Sequence, residues 1–249
     1  ILEENNQSNE IHPGDSLALF LSSLETELDP DEINNIKQSS IEILQNCIPS
    51  SFENENRQNN TGIVIGHIQS GKTMSFTSLI ALARDNKYRI VIVLAGTTGL
   101  LLSQTNERFE EDLISKDDNI QLKFNPETTD KDKILRVLRN ESRDRLIILP
   151  ILKHYKRIDK LRDLLEKPEI KMLLKKKGVL IIDDEADQAS LNTEERRNSK
   201  KKLSQEDLKE SATFKSIKLL RHSVPNHSYI QYTATPQGNL LLNYLSLLS

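Results

Sequence analysis

Blocks of apolar and polar positions divide the chain, and their character changes near residue 61. Downstream of that point, short apolar runs rich in β-branched residues recur at residues 62–65, 89–95, 145–149, 178–182 and 228–233. Runs that are apolar at nearly every position are typical of strands buried on both faces of a parallel sheet. The intervening segments show helical spacing of apolar residues, at residues 72–84, 100–113, 130–140, 155–176 and 211–222. This alternation predicts an α/β fold with a parallel central sheet flanked by helices.

The first 60 residues combine helical segments with a polar linker at residues 50–60. Apolar residues recur at helical spacing in two stretches, residues 17–24 and 33–48. Asp29 and Pro30 precede the second stretch, and these residue types favour the cap and the first position of a helix. We therefore predict a small N-terminal helical region with a polar linker, followed by a main α/β lobe, over residues 1–60 and 61–249.

Composition narrows the class of protein. The net charge is -3 and the pI is near 6.0, so any nucleic-acid contact must come from a local patch or from residues beyond this chain. Cys47 is the only cysteine, which excludes a disulfide framework and a cysteine-based zinc site. No apolar run approaches the roughly 18–20 residues of a membrane span. These features predict a cytoplasmic, charge-rich globular protein. The polar residues 192–210 are predicted to form a mobile insertion.

The most specific motif is a phosphate-binding loop. Residues 66–73 match the pattern G-x-x-x-x-G-K-[ST] without a gap, between a strand-like run and a helix-like segment. Successive N–H groups of such a loop point at phosphate oxygens, and the helix that follows adds the positive end of its dipole. Lys72 is expected to reach the β- and γ-phosphates, and Thr73 to ligate Mg²⁺. The predicted ATP-binding residues are Gly66, Gln69, Ser70, Gly71, Lys72 and Thr73.

An acidic run follows the strand-like residues 178–182. A strand that ends in carboxylates delivers them to the carboxyl edge of a parallel sheet, where ligands bind. We interpret Asp184 as the residue that holds Mg²⁺ through water, and Glu185 as the base that polarises the attacking water. Because Asp183 directly precedes Asp184, the start of the acidic motif is ambiguous. We favour a motif that begins at Asp184, because it leaves Glu185 in the position of the base.

A third motif, Tyr232-Thr-Ala-Thr-Pro236, follows the last strand-like run. A phosphate loop, then D-E-A-D, then T-A-T-P resembles the first RecA-like lobe of superfamily 2 helicases and translocases. Residues 91–104, VIVLAGTTGLLLSQ, resemble the motif after the phosphate loop in that superfamily, with Gly96 where many relatives have proline. The resemblance implies that Lys72 and Glu185 are catalytic. It also implies that Thr97 and Thr98 lie near the nucleic-acid backbone. Thr233 and Thr235 would couple the state of ATP to the binding of nucleic acid.

Details of these motifs resemble the helicase-like part of bacterial Z-one domain proteins, which are proposed endonucleases encoded near restriction and phage-defence genes. The motif details are Gln69-Ser70, GTT, DDEAD and YTATPQGN. The resemblance implies ATP and Mg²⁺ as cofactors and nucleic acid as partner, with DNA favoured over RNA. It also implies a larger endonuclease in restriction or phage defence, whose second RecA-like lobe and nuclease region lie elsewhere in the same protein. We expect this chain alone to hydrolyse ATP weakly, because a second lobe supplies arginines that stabilise the transition state.

Two other functions remain open. One is a regulatory ATPase of the AAA+ or STAND kind, in which Thr233 or Thr235 senses the γ-phosphate and oligomerisation supplies the arginine. The other is a nucleotide-binding scaffold without motor action, which the intact Lys72 and Glu185 disfavour, since a scaffold has no need of a hydrolytic carboxylate.

A nuclease site inside the chain is disfavoured. Asp163 and the Glu169-x-Lys171 pair mimic the D…E-x-K metal site of restriction-type nucleases. That site needs a strand to carry the E-x-K pair, whereas residues 155–176 have helical spacing with a break at Pro168.

Overall fold

The computed structural model describes residues 10–52, 57–65, 71–139, 144–186 and 205–234. Within these ranges, six strands form one sheet in the order β1-β6-β5-β2-β4-β3, and every neighbouring pair is parallel. The strands are β1 (Asn59–Ile65), β2 (Ile90–Ala95), β3 (Ile120–Leu122), β4 (Leu146–Leu152), β5 (Val179–Asp183) and β6 (His227–Thr233). The predicted α/β class with a parallel central sheet is therefore confirmed.

Helices precede the sheet and connect its strands. They are α1 (Asp15–Ser23), α2 (Pro30–Gln45), α3 (Lys72–Asp85), α4 (Gly99–Phe109), α5 (Lys131–Arg139), α6 (Tyr155–Leu165), α7 (Pro168–Leu174) and α8 (Gln205–Ser223). A π-helical turn, Glu110–Ile114, extends α4, and a 3-10 turn, Thr128–Asp130, precedes α5. Among the described residues, no helix combines the length and the apolar character needed to cross a membrane.

Two expectations about secondary structure need correction. The helix predicted over residues 211–222 begins earlier, because α8 already starts at Gln205. Residues 192–204 lie outside the described ranges, and the mobile insertion stays a prediction. Strand β3 is absent from the predicted elements. Its three residues are too few to form a recognisable apolar run, and pairing with β4 defines the strand.

Alternation of side chains gives the sheet two apolar cores, one on each face. The two sets from β2 are Val91, Val93 and Ala95 on one face and Ile90, Ile92 and Leu94 on the other. Helices α1 to α4 cover the first face, and α5 to α8 cover the second. The central strands are therefore buried on both faces, as their continuous apolar sequences predict.

The N-terminal helices belong to the first of these cores. Leu17 and Leu44 are buried there with residues of α3, and the hydroxyl of Ser40 donates a 2.9 Å hydrogen bond to that of Ser78. Asp29 caps α2 by accepting hydrogen bonds from two backbone N–H groups, which confirms the predicted start of that helix. Because α1 and α2 share a core with the lobe, they form a layer on it. The division of domains at residue 60 stays a prediction.

Candidate active site

The carboxyl ends of five strands meet along one side of the sheet, here called the carboxyl edge. Ile65 pairs with Thr233, Leu94 pairs with Asp183, and β2 and β4 end together. The predicted site residues that the structure describes lie on or directly after these strand ends, or begin the helix that follows β1. Four other predicted site residues lie outside the described ranges: Gly66, Gln69, Ser70 and Thr235.

Gly71 forms the junction that starts α3. It is the N-cap residue and has a left-handed backbone with φ of 71°, which glycine adopts without steric cost. Lys72 and Thr73 follow in the first turn and are half-buried. The first N–H groups of a helix have no acceptor within it and carry the positive end of the helix dipole. This end of α3 can therefore attract an anion.

Aromatic packing fixes the start of α3 against the sheet. The ring of Phe76 meets the rings of Phe109 and Tyr232 edge-on, with centroids 6.0 and 5.7 Å apart. The hydroxyls of Ser75 and Tyr232 lie 3.4 Å apart. Since Tyr232 belongs to β6, the first turns of α3 hold a defined position relative to the neighbouring strand ends.

A cavity of about 200 Å³ brings the two main motifs together. Thr73 from α3 and the acidic pair Asp184 and Glu185 line the same space. The remaining lining residues come from the β2 end and from α4: Gly96, Leu101, Gln104, Thr105 and Arg108. A larger groove of about 540 Å³ runs between α2 and β1, but none of the predicted site residues lines it. Chemistry rather than size therefore identifies the smaller cavity as the candidate site.

The turn after β5 holds Glu185 in a strained conformation. Its φ is 52°, in the left-handed region that costs a residue with a side chain roughly 1 kcal/mol or more. Backbone bonds hold both flanks: Asp184 N–H donates to Leu94 O at 3.1 Å, and Ala186 N–H donates to Tyr232 O at 3.0 Å. Among the residues that the structure describes, buried Oε2 of Glu185 has no hydrogen-bond partner. An unpaired buried carboxylate oxygen is costly, and a bound ligand can supply its partner.

The other acid of the pair, Asp184, is electrostatically suited to a cation. Burial raises the pKa of Asp184 above its ordinary value; Lys153 and Lys72 oppose this shift, and Glu185 adds to it. Within the described residues, no group of three or more His, Cys, Asp or Glu side chains is arranged to hold a metal ion. Mg²⁺ commonly takes one or two carboxylates and completes its shell with phosphate oxygens and water. Thr73 and Asp184, which line one cavity, fit such an ion.

Asp183 has a different environment from its two neighbours. Its side chain is 1% exposed and forms an ion pair of 2.7 Å with Lys153 Nζ, while the hydroxyl of Tyr229 donates to its second oxygen. Asp183 is therefore engaged inside the protein, and only Asp184 and Glu185 reach the cavity. The structure thus separates Asp183 from the other two acids of the motif, and the favoured start of the motif stays a prediction. Lys153 was absent from the predicted residues, since nothing in the sequence distinguishes a lysine at the end of an apolar run.

The predicted threonines fall into two environments. Thr97 and Thr98 are exposed after β2, as a contact with nucleic acid requires, and Thr98 Oγ1 also accepts a 3.4 Å bond from Leu101 N–H at the start of α4. Thr233 is completely buried at the end of β6, so it can act only through its neighbours. The sequence does not separate these two environments.

The residues that mimic a nuclease site are helical and dispersed. Asp163 lies on α6 and pairs with Arg162 at 3.0 Å, whereas Glu169 lies on α7 and pairs with Lys131 at 2.6 Å. No described strand carries the Glu169-x-Lys171 pair, in agreement with the argument from sequence.

Residues 31–238 match the protein family described as Type III restriction enzyme, res subunit. The chain belongs to this family. It is a helicase-like family of superfamily 2, so the predicted resemblance to that superfamily is confirmed. The narrower resemblance to Z-one domain proteins stays a prediction. No curated protein matched the sequence of the chain.

Solved structures similar to the chain include a nuclease-deletion mutant of the Type ISP restriction-modification enzyme LlaGI with a DNA substrate mimic (17% identity, TM-score 0.46, 84% of this chain). Another is the Hef helicase domain of Pyrococcus furiosus, with 15% identity, a TM-score of 0.39 and 73% of this chain covered. A third is the DEAD-box helicase Mss116 with ssRNA and UDP-BeF, with 16% identity, a TM-score of 0.45 and 90% of this chain covered. The chain spans 18%, 30% and 42% of these three chains, respectively. These likenesses concern the fold alone.

Proposed function

We propose that this chain is the ATP-binding first motor lobe of a nucleic-acid-dependent ATPase. The observation that carries the proposal is the shared cavity, in which Thr73 of the phosphate-loop motif faces Asp184 and Glu185 of the acidic motif. Phosphoryl transfer to water needs a phosphate clamp, a metal site and a base within one small space. Membership of a helicase-like restriction family supports the same function.

The residues of the phosphate-loop motif and of the acidic motif have separate tasks in this proposal. Lys72 binds and orients the terminal phosphates, with Gly66, Gln69, Ser70 and Gly71 as the remaining residues of the clamp. Thr73 and Asp184 hold Mg²⁺, which when bound neutralises phosphate charge. Glu185 orients a water molecule and accepts its proton. Its unpaired Oε2 is free for that bond among the described residues.

Nucleic acid is the proposed partner, with DNA favoured by the restriction family to which the chain belongs. Thr97 and Thr98 are exposed beside the cavity and can donate hydroxyls to a phosphate backbone without net positive charge. Thr233 and Thr235 are proposed to couple the state of ATP to that contact. In this proposal, the lobe serves a larger endonuclease in restriction or phage defence.

The test is ATP turnover by the full-length protein with and without duplex DNA, single-stranded DNA and RNA. Lys72→Ala is expected to lower turnover on the order of 10²-fold or more, because a cation aimed at the phosphates is lost. Lys176→Ala is the matched control, since Lys176 is exposed beyond α7 before β5, at the opposite edge of the sheet. Equal turnover by the two variants would exclude the proposed function. Turnover that no polynucleotide stimulates would exclude nucleic-acid dependence.

A further inference from the structure

Lys153 is a buried cation directly after β4, beside the candidate active site. Its side chain is 0% exposed, and its Nζ lies 2.7 Å from both Asp183 Oδ1 and the backbone oxygen of Glu185. Lysine is almost never fully buried unless its charge is paired. The ion pair with Asp183 accounts for the burial, but it leaves the bond to Glu185 unexplained.

The bond to Glu185 has a specific mechanical consequence. Backbone hydrogen bonds fix Asp184 and Ala186 on the two sides of the turn. Lys153 holds the carbonyl of Glu185 itself, the residue whose φ of 52° is strained. The backbone of Lys153 is anchored in turn, because its N–H donates a 3.0 Å bond to Gly96 O at the end of β2. The ammonium group therefore occupies a fixed point from which it can hold the strained peptide.

We propose that Lys153 is a positioning residue that holds Glu185 in the conformation needed to activate water. This inference rests on the proposed ATPase function. Without the ammonium group, only the bond from Ala186 N–H to Tyr232 O holds the peptide after Glu185, so this peptide can relax toward the ordinary right-handed region, which turns the carboxylate away from the cavity. Misplacement of a reacting group by about 1 Å can cost on the order of 10²-fold in rate.

The competing explanation is that Lys153 only neutralises Asp183. A variant that removes the whole ion pair, Lys153→Met with Asp183→Asn, distinguishes the two roles of Lys153. It leaves no unpaired charge in the interior, so any loss of kcat comes from the missing bond to Glu185. Tyr229→Phe is the control, since it removes another hydrogen bond to Asp183 and leaves both members of the ion pair in place.

The experiment measures thermal unfolding, binding of a fluorescent ATP analogue, and kcat in the full-length protein. The paired variant is expected to remain folded and to bind the analogue within about threefold of the unmodified protein, while kcat falls on the order of 10²-fold. The control variant should keep kcat within about threefold. A loss of kcat in Tyr229→Phe as large as in the paired variant would overturn the proposal, as would an unchanged kcat in a folded paired variant.

A double-mutant cycle decides whether Lys153 acts through Glu185. In a Glu185→Gln background, the paired substitution should cause no further loss of kcat, because the group that it positions is already gone. An equal further loss in that background would show an independent structural effect and overturn the proposal. Failure of the ATPase function itself has a different signature, in which neither Lys72→Ala nor Glu185→Gln lowers turnover.

Discussion

The two edges of the sheet are built by the same strands and place polar side chains in different surroundings. At the amino edge, where β5 and β6 begin, buried Asn226 accepts from Gln58 N–H at 2.8 Å and donates to Lys175 O at 2.7 Å. At the carboxyl edge, Glu185 is strained and its Oε2 is unpaired among the described residues. The unpaired carboxylate of Glu185 therefore lies where a bound ligand can complete it, although within the described residues the amino edge also holds an unpaired buried group, Nε of Arg145, and a residue with positive φ, Lys87 at 66°. The comparison separates the residues that stabilise the fold from those available for chemistry.

The first prediction concerns the carboxyl edge and has the largest expected effect. Glu185→Gln should lower kcat on the order of 10²- to 10⁴-fold, because the general base is lost. Its unfolding temperature should stay level or rise, since an unpaired buried carboxylate becomes a neutral amide. Turnover and thermal unfolding measure the two effects. Glu166→Gln, at an exposed position after α6, is the matched control, and a similar kcat in both variants would contradict the prediction.

The second prediction concerns a titrating group at the amino edge. Burial lowers the pKa of His227 from 6.5 to about 4, and the ring Nδ1 lies 2.9 Å from Val224 O while Arg221 Nε–H points at Nε2. The fold therefore favours the neutral ring. The resulting stability is present above pH 6.5 and is lost as the pH falls toward about 4, by on the order of 3 kcal/mol.

Urea unfolding at pH 7 and pH 4 tests this assignment. His227→Gln should lose less stability than the unmodified protein over that interval, because its side chain does not titrate. His12→Gln should behave like the unmodified protein, since the His12 side chain is 71% exposed. An acid dependence that is the same in all three proteins would exclude His227 as its cause.

The third prediction removes a paired group from the amino edge. Asn226→Ala should lower the free energy of unfolding by about 2 kcal/mol, because the backbone groups of Gln58 and Lys175 lose their partners. The kcat at saturating ATP should stay within about twofold, measured at a temperature where the variant is folded. Asn34→Ala, on the exposed face of α2, is the control and should have little effect on stability. A large fall in kcat would show that the two edges are not independent.

The smallest expected effect comes from relieving strain at Glu185. Glu185→Gly should be more stable than Glu185→Ala by about 0.5–1 kcal/mol, because glycine accepts a φ of 52° without steric cost. At Glu166, whose φ is -77°, the alanine variant should instead be more stable than the glycine variant. Chemical denaturation of the four variants measures both differences. The same order at both positions would contradict the assignment of strain to Glu185.

Local patterns predicted the class of fold and most of its elements. The buried strands and α3 follow from continuous apolar runs and helical spacing, and Asp29 and Pro30 mark the start of α2. Strand β3 was not predicted, because three residues carry no periodic signal and only the pairing with β4 makes them a strand. The start of α8 was misplaced because a polar sequence does not reveal where a helix begins.

The sequence by itself determined which residues can perform the proposed chemistry, because phosphate loops and strand-end acids are local patterns with fixed spacing. Only the tertiary structure decided how these residues are arranged. It turned Asp183 inward to Lys153 and Tyr229, and it left Asp184 and Glu185 facing Thr73 across a cavity. The physical reason is that burial and charge pairing depend on strands far apart in the chain. A string of three acids does not show which of them will meet a buried lysine.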